Sequence, residues 1–138
     1  MSLRRSLLIV ALALGALAGA GQAWADDAGS ETVTPVMSQS VPEATGRKVL
    51  MLTVEYKPGQ ASEPHRHPGS IFAYVLEGHV VSQLDGSATK TYGPGESWYE
   101  PPGAHHVVSK NASSTEPAKL LVFAIAEDGD PVKLPIPH

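Results

Sequence analysis

The sequence predicts an all-β domain, a sandwich or barrel. Short apolar runs recur at close, regular spacing, and Gly and Pro turn signals bound each of them. No segment beyond residue 25 repeats its apolar residues at a helical period. With 138 residues, 13 of them Gly and 12 Pro, and no internal repeat, the chain has room for one barrel and little more.

Residues 1–25 read as a secretory signal peptide. Arg4 and Arg5 precede an apolar run from Leu7 to Ala20, and Ala23 and Ala25 supply the small residues of a cleavage site before Asp26. The run is shorter than the roughly 20 residues that span a bilayer, which favours cleavage over an uncleaved anchor. The expected location is periplasmic or secreted. Arg4-Arg5 loosely resembles a twin-arginine signal, although its flanks fit poorly. Residues 26–44 form a flexible arm, with Val33 to Gln39 a candidate edge strand. The barrel occupies residues 45–130. Lys48 to Val54 is apolar on both faces, as in a strand buried on both sides. Ile71 to Leu76, Val80 to Leu84, Ala88 to Tyr92, Ser97 to Glu100, His105 to Ser109 and Ala118 to Ala126 are further strands, and Asp85-Gly86 signals a hairpin. The tail, 131–138, carries three prolines and lies on the surface.

Composition narrows the function. Ten basic and 14 acidic residues give a formal charge of −4, which becomes −6 once Arg4 and Arg5 are removed. No basic stripe is present to meet nucleic acid, and no second apolar span remains to hold the cleaved chain in a membrane. The absence of cysteine excludes thiol nucleophiles, cysteine metal sites and disulfides.

Six histidines carry what chemistry remains. His65 and His67 are two apart; on a strand they share a face, about 6.6 Å along, and can tilt toward one ion. Taken alone, H-x-H also fits two surface histidines. His105 and His106 adjoin and face opposite ways, so a one-residue register shift would exchange them. His79 and His138 read as surface and terminal residues. Gln60 and Glu63 read as loop, and Glu100 as a residue near the barrel mouth that either packs there, reaches a metal or acts as a base. Trp98 and Tyr99 read as structural. Asn111-Ala112-Ser113 matches a glycosylation sequon, a match that also arises by chance.

Two spaced patterns resemble the paired motifs of the cupin superfamily, in its small single-domain, cupin 2 type. The first is Gly59, His65, His67 and Gly78; the second is Gly95, Pro101, Gly103 and His106. Asn111 falls one residue later than the family's usual asparagine. The resemblance, over roughly residues 35–127, implies an RmlC-like jelly-roll β-barrel. It also implies His65, His67 and His106 as ligands of a divalent metal (Fe, Mn, Ni, Cu or Zn). The family's glutamate ligand does not carry over, because its position here is Ile71. The expected ligand set is therefore three neutral imidazoles, with Ile71, Ala73 and Val75 on one inward face, either as an apolar cavity wall or as plain core.

Two function classes follow. One is a metalloenzyme, a small-molecule dioxygenase or an isomerase or lyase using the metal as Lewis acid. The other is a non-catalytic binding module for a small ligand or metal. Vestigial histidines are a third possibility. The expected assembly is a homodimer, since an exposed sheet edge needs cover.

Overall fold

The computed structural model describes residues 30–137. The proposed signal peptide and His138 lie outside these residues. The architecture is all-β, with ten strands in two five-stranded antiparallel sheets and no helix among the described residues. In chain order the strands are β1 (Thr32–Ser40), β2 (Arg47–Tyr56), β3 (His65–Arg66), β4 (Ile71–Glu77), β5 (Val80–Leu84), β6 (Lys90–Tyr92), β7 (Ser97–Glu100), β8 (His105–Asn111), β9 (Ala118–Glu127) and β10 (Leu134–Pro135). The first sheet runs β1-β2-β9-β4-β7 and the second β10-β3-β8-β5-β6.

Alternation builds the core between the sheets. Successive side chains of a strand point to opposite faces. In β4, Ile71, Ala73 and Val75 are buried while Phe72, Tyr74 and Leu76 are exposed; in β9, Ala118, Leu120, Val122, Ala124 and Ala126 are all buried. All of these but Ala126 meet Leu52 and Tyr56 of β2 and Val80 of β5 in one cluster. Strand β2 corrects the sequence reading. Only Leu52 and Tyr56 are buried, and the outward face, including Met51 and Thr53, is only half-covered. A continuous apolar run suits either a doubly buried strand or one whose second face lies on an apolar outer surface, and periodicity alone does not separate the two.

Both ends of the described segment are integrated into the sheets. Residues 32–40, within the segment read as an arm, pair with β2 along nearly the whole of its length, with a bulge between Pro35 and Met37. The proline and the bulge sit on the open edge, where a missing N–H is tolerated and edge-to-edge pairing is discouraged. In the tail, Leu134 and Pro135 pair with Arg66 and His65.

A second bulge governs the inner wall of the second sheet. Pairing of β8 with β5 shifts between Gln83 and Leu84, which face Val108 and His106. The extra residue in β8 changes parity, so His106 and Asn111, five apart, are both buried. This accounts for the late asparagine: it still reaches the inner face. There its side-chain amide donates to the carbonyls of Lys57 and Glu116 and its Oδ1 accepts from the Ser113 amide. Asn111 is a clamp between two loops, and the sequon it begins is not an exposed acceptor.

Gly78 makes the turn from β4 to β5 with φ of 68°, and a Cβ there would lie 2.3 Å from the Pro117 carbonyl oxygen. Gly78→Ala is therefore expected to destabilise the fold by about 2–3 kcal/mol, through left-handed strain and the clash. A lowered urea midpoint at unchanged slope would register it.

Candidate metal centre

The second sheet places the histidines. Strand β3 pairs with β8 so that His65 lies directly opposite His106. His67 follows β3, and its carbonyl accepts a hydrogen bond of 2.8 Å from the Gly103 amide. His65 and His106 are buried and His67 nearly so. Ring centroids lie 4.8 Å apart for His65 and His67 and 5.1 Å for His65 and His106. One nitrogen from each of the three falls within 4.8 Å of the others.

Backbone carbonyls set two of the tautomers. His65 Nδ1 meets the Glu63 carbonyl at 2.7 Å, and His67 Nδ1 meets the Val132 carbonyl. A carbonyl only accepts, so both Nδ1 atoms carry the proton and both Nε2 atoms present lone pairs. Histidine metal ligands are held in this way, by a hydrogen bond from the other ring nitrogen. Burial pushes the His65 pKa down to about 4, and burial also lowers that of His67. Both rings are neutral at ordinary pH, as metal ligation requires.

Glu100 completes the centre. It is 2% exposed, so it is a buried group and not a residue of the barrel mouth. Strand β7 pairs with β4 so that Glu100 lies opposite Ile71. A carboxylate thus stands on the neighbouring strand, on the same inward face as Ile71 and beside the three-histidine group. Oε1 accepts from Trp98 Nε1 at 2.9 Å and lies 3.1 Å from His106 Nδ1. Oε2 lies 3.7 Å from His67 Nε2 and has no hydrogen-bond partner. Burial alone would raise the carboxyl's pKa, but the hydrogen bonds from His106 and Trp98 outweigh it and lower the pKa.

His106 differs from the other two. Its Nδ1 faces the Glu100 carboxylate, and its Nε2 lies 2.8 Å from Ser82 Oγ. An ionised carboxylate only accepts, so Nδ1 donates to it, while Ser82 Oγ donates to Nε2 or accepts from it according to the proton that nitrogen carries. A serine hydroxyl donates or accepts equally well. Ser82 can therefore follow the imidazole when its proton moves to Nε2, which frees Nδ1 for a cation.

A cavity of about 300 Å³ opens onto this group. The histidines, Glu100, Trp98, Tyr56, Ser62 and Ser109 supply its polar or aromatic lining, and Leu52, Val54, Leu120 and Val122 its apolar walls. Val33, Pro35 and Val132 form part of the rim, and Glu31 and Lys133 join across it in an ion pair. Burial opposes ionisation of Glu31, but Lys133 and Ser30 hold its pKa at about 2. Ile71, Ala73 and Val75 belong to the core and do not line the cavity. His79 is exposed, and His105 pairs with Arg66 away from the centre. Glu63 reaches the site only through its carbonyl, and Gln60 caps the Lys57 amide. Trp98 was legible only as structural, yet it shares an inward face with Glu100 two residues on and donates to it.

Residues 52–124 match the family described as a cupin domain, and the chain belongs to that family. No curated protein matches the sequence. Among solved structures, the protein TT1209 from Thermus thermophilus is 33% identical, with a TM-score of 0.56 over 69% of this chain and 82% of its own. The DMSP lyase DddQ from Ruegeria pomeroyi superposes with a TM-score of 0.64 at 19% identity, over 83% of this chain and 55% of its own. This chain thus spans about half the length of that lyase. The polyketide cyclase RemF from Streptomyces resistomycificus is 25% identical, with a TM-score of 0.56 over 78% of this chain and 73% of its own.

The neutral histidines make stability depend on pH. His65 titrates at about 4 when folded against 6.5 for a solvated imidazole, so between those values the folded chain binds fewer protons than the unfolded one. Stability of the metal-free protein is therefore full above about pH 6.5 and lost as pH falls toward 4. His67 acts in the same direction, and the depressed Glu100 adds a further loss below its ordinary value of 4.5. Urea midpoints between pH 7 and 4 are expected to fall accordingly, and less steeply in His65→Gln.

Proposed function

We propose that this protein is a metal-dependent enzyme acting on a small, largely apolar molecule with an enolisable carbonyl, and that Glu100 accepts the proton the substrate loses. The observation that carries this reading is Glu100 Oε2, a buried carboxylate oxygen with no partner in the chain, beside three converging imidazoles. A buried, unpaired carboxylate oxygen is costly and marks a place where a cation or a proton belongs.

His65, His67 and His106 would hold the metal, and the donor set fits one. His65 and His67 are neutral and oriented by backbone carbonyls, and Glu100 offers a negative charge alongside. Imidazole ligands suit Fe, Mn, Ni, Cu or Zn, with availability deciding among them. When bound, a divalent ion would supply Lewis acidity toward a substrate oxygen. The chain's own residues do the rest. The apolar walls exclude water, Trp98 fixes the carboxylate, and Oε2 takes a proton from the carbon next to the carbonyl. Isomerisation, elimination, cyclisation and dioxygenation of an enolisable compound all begin with that proton's removal. A polyketide cyclase is among the similar structures.

The same reading places the protein in the periplasm or outside the cell. It rests on the pattern of residues 1–25, and amino-terminal sequencing of protein from native expression is expected to find Asp26 first. A homodimer is supported by the outer face of the first sheet. There Met37, Met51, Phe123, Phe72 and Tyr99 align in register across all five strands, and all but Met51 are exposed.

The test begins with exported protein purified without chelator. Metal near one ion per chain is expected in the wild type and in Glu100→Gln, and none in His67→Ala. Exchange of the α-protons of small ketones and diketones in heavy water, read by proton NMR, is expected in the wild type. It should fall at least about 100-fold in Glu100→Gln. Metal without exchange would leave the non-catalytic binding module as the reading, and absence of metal in the wild type would overturn every metal-dependent reading.

A further inference from the structure

The cavity holds a second polar group that the proton transfer does not use. Tyr56 Oη lies 2.7 Å from Ser62 Oγ and 2.8 Å from Ser109 Oγ, and all three residues line the cavity. Tyr56 is 2% exposed and Ser109 5%. Three hydroxyls carry three protons, and each hydroxyl donates one hydrogen bond. The two bonds within the group use two protons. None of the three oxygens meets another acceptor among the described residues. Whichever way the group is polarised, one proton remains to be donated; half-buried Ser62 can give it to solvent, whereas buried Tyr56 or Ser109 gives it to a molecule in the cavity. A buried donor without an acceptor is unfavourable.

The position of this group relative to the histidines follows from β8. The bulge puts His106 and Ser109 on the same inner face, so Ser109 is the next inward residue after His106. At about 3.3 Å per residue the two lie roughly 7–10 Å apart along the strand. The cavity's apolar walls include Leu52, Val54, Leu120 and Val122. A molecule of a few carbons spans that distance, and about 300 Å³ of cavity holds little more.

The surrounding charges decide what the hydroxyls accept. Burial raises the Tyr56 pKa, and Glu31 and Glu100 push it the same way, so the phenol stays a proton donor. The nearest cation at the rim, Lys133, is already paired with Glu31. A second carboxylate would give up its hydration for hydroxyls and a cation already paired, whereas a neutral carbonyl oxygen needs only the donor.

We propose that the Tyr56–Ser62–Ser109 hydroxyls form a second recognition station, and that the ligand is a short, mostly apolar oxo acid. Its acidic oxygen function lies at the histidine end, and a neutral carbonyl oxygen a few bonds away accepts the hydroxyl proton. The first half rests on the proposed metal centre; the second rests on the hydroxyl count.

The experiment compares three probes by calorimetry on zinc-loaded protein of measured metal content: pentanoate, 4-oxopentanoate and pentanedioate. Wild type is expected to bind 4-oxopentanoate about tenfold more tightly than pentanoate, the worth of one neutral hydrogen bond, and to show no such gain for pentanedioate. In Tyr56→Phe the two monoacids should bind within about twofold of each other. Ser109→Ala is the second variant should the first fail to fold. Equal binding of the two monoacids by metal-loaded wild type, or a 4-oxopentanoate advantage that survives in both variants, would overturn this proposal alone. Protein that takes up no zinc and binds none of the three would overturn the metal centre along with it.

Discussion

A carboxylate buried between two sheets must be satisfied from several directions, and Glu100 organises much of this molecule around that demand. Its strand, β7, is the last of the first sheet, and the inward position opposite Ile71 leaves it no solvent. Trp98 answers one oxygen from the same strand. His106 answers it from the facing sheet, with Ser82 supporting the imidazole from behind. Deleting one partner of such a buried network typically costs about 3–5 kcal/mol, because the survivor is left charged and unpaired. The second oxygen has no donor and faces His67. The balance makes electrostatic sense with a cation: three neutral rings and one negative oxygen reduce a divalent ion to about a single positive charge, where three rings alone would leave it at +2.

The scaffold holds the rings as firmly as the charge. His65 and His106 are fixed by a directly opposed strand pair, and His67 by backbone at both ends of its reach. The Gly103 amide holds its carbonyl, and the Val132 carbonyl holds its ring. The two cupin motifs are therefore more than ligand lists. Glycine and proline in the second motif shape the turn that meets the first, and the contact is made by main chain. Even the tail takes part, because β10 brings Val132 to the ring of His67.

Spacing made the fold and the histidine trio legible, since G-x5-H-x-H and G-x5-P-x-G-x2-H depend only on order along the chain. Register was not legible in the same way. Nothing in the sequence states that β7 pairs with β4 so that Glu100 lies opposite Ile71, and without that pairing Glu100 reads as a mouth residue. The bulge in β8 is a similar case. The late asparagine was visible as an anomaly, but only strand pairing shows that one extra residue restores its inward face. The hydroxyls were hidden for a different reason. Tyr56, Ser62 and Ser109 are ordinary residues far apart in sequence, brought together by the packing of β2 against β8, and no local pattern marks them. Ile71, Ala73 and Val75 were open to either role, and the depth of β4 in the core makes them packing.

The segments that the family pattern leaves out carry much of what distinguishes this cavity. The cupin match covers residues 52–124, and the rim residues Glu31, Val33, Pro35, Val132 and Lys133 all lie outside it. Inside the match are the histidines, Glu100, Trp98 and the walls from β2 and β9. The chamber that holds the histidines thus lies within the family match, while the rim that a ligand must pass is built from the segments outside it. The Glu31–Lys133 pair joins the two ends across that rim, and two hydrogen bonds, outweighing burial, keep Glu31 charged well below neutral pH. An ion pair at a rim cancels its own field, so it neither attracts a charged ligand strongly nor repels a neutral one. Selection is left to the shape of the opening and to the few polar atoms inside. In the cavity, with Glu100 Oε2 unpartnered and a hydroxyl proton available at the Tyr56 group, a ligand gains most by presenting an acidic proton to the first and an acceptor oxygen to the second.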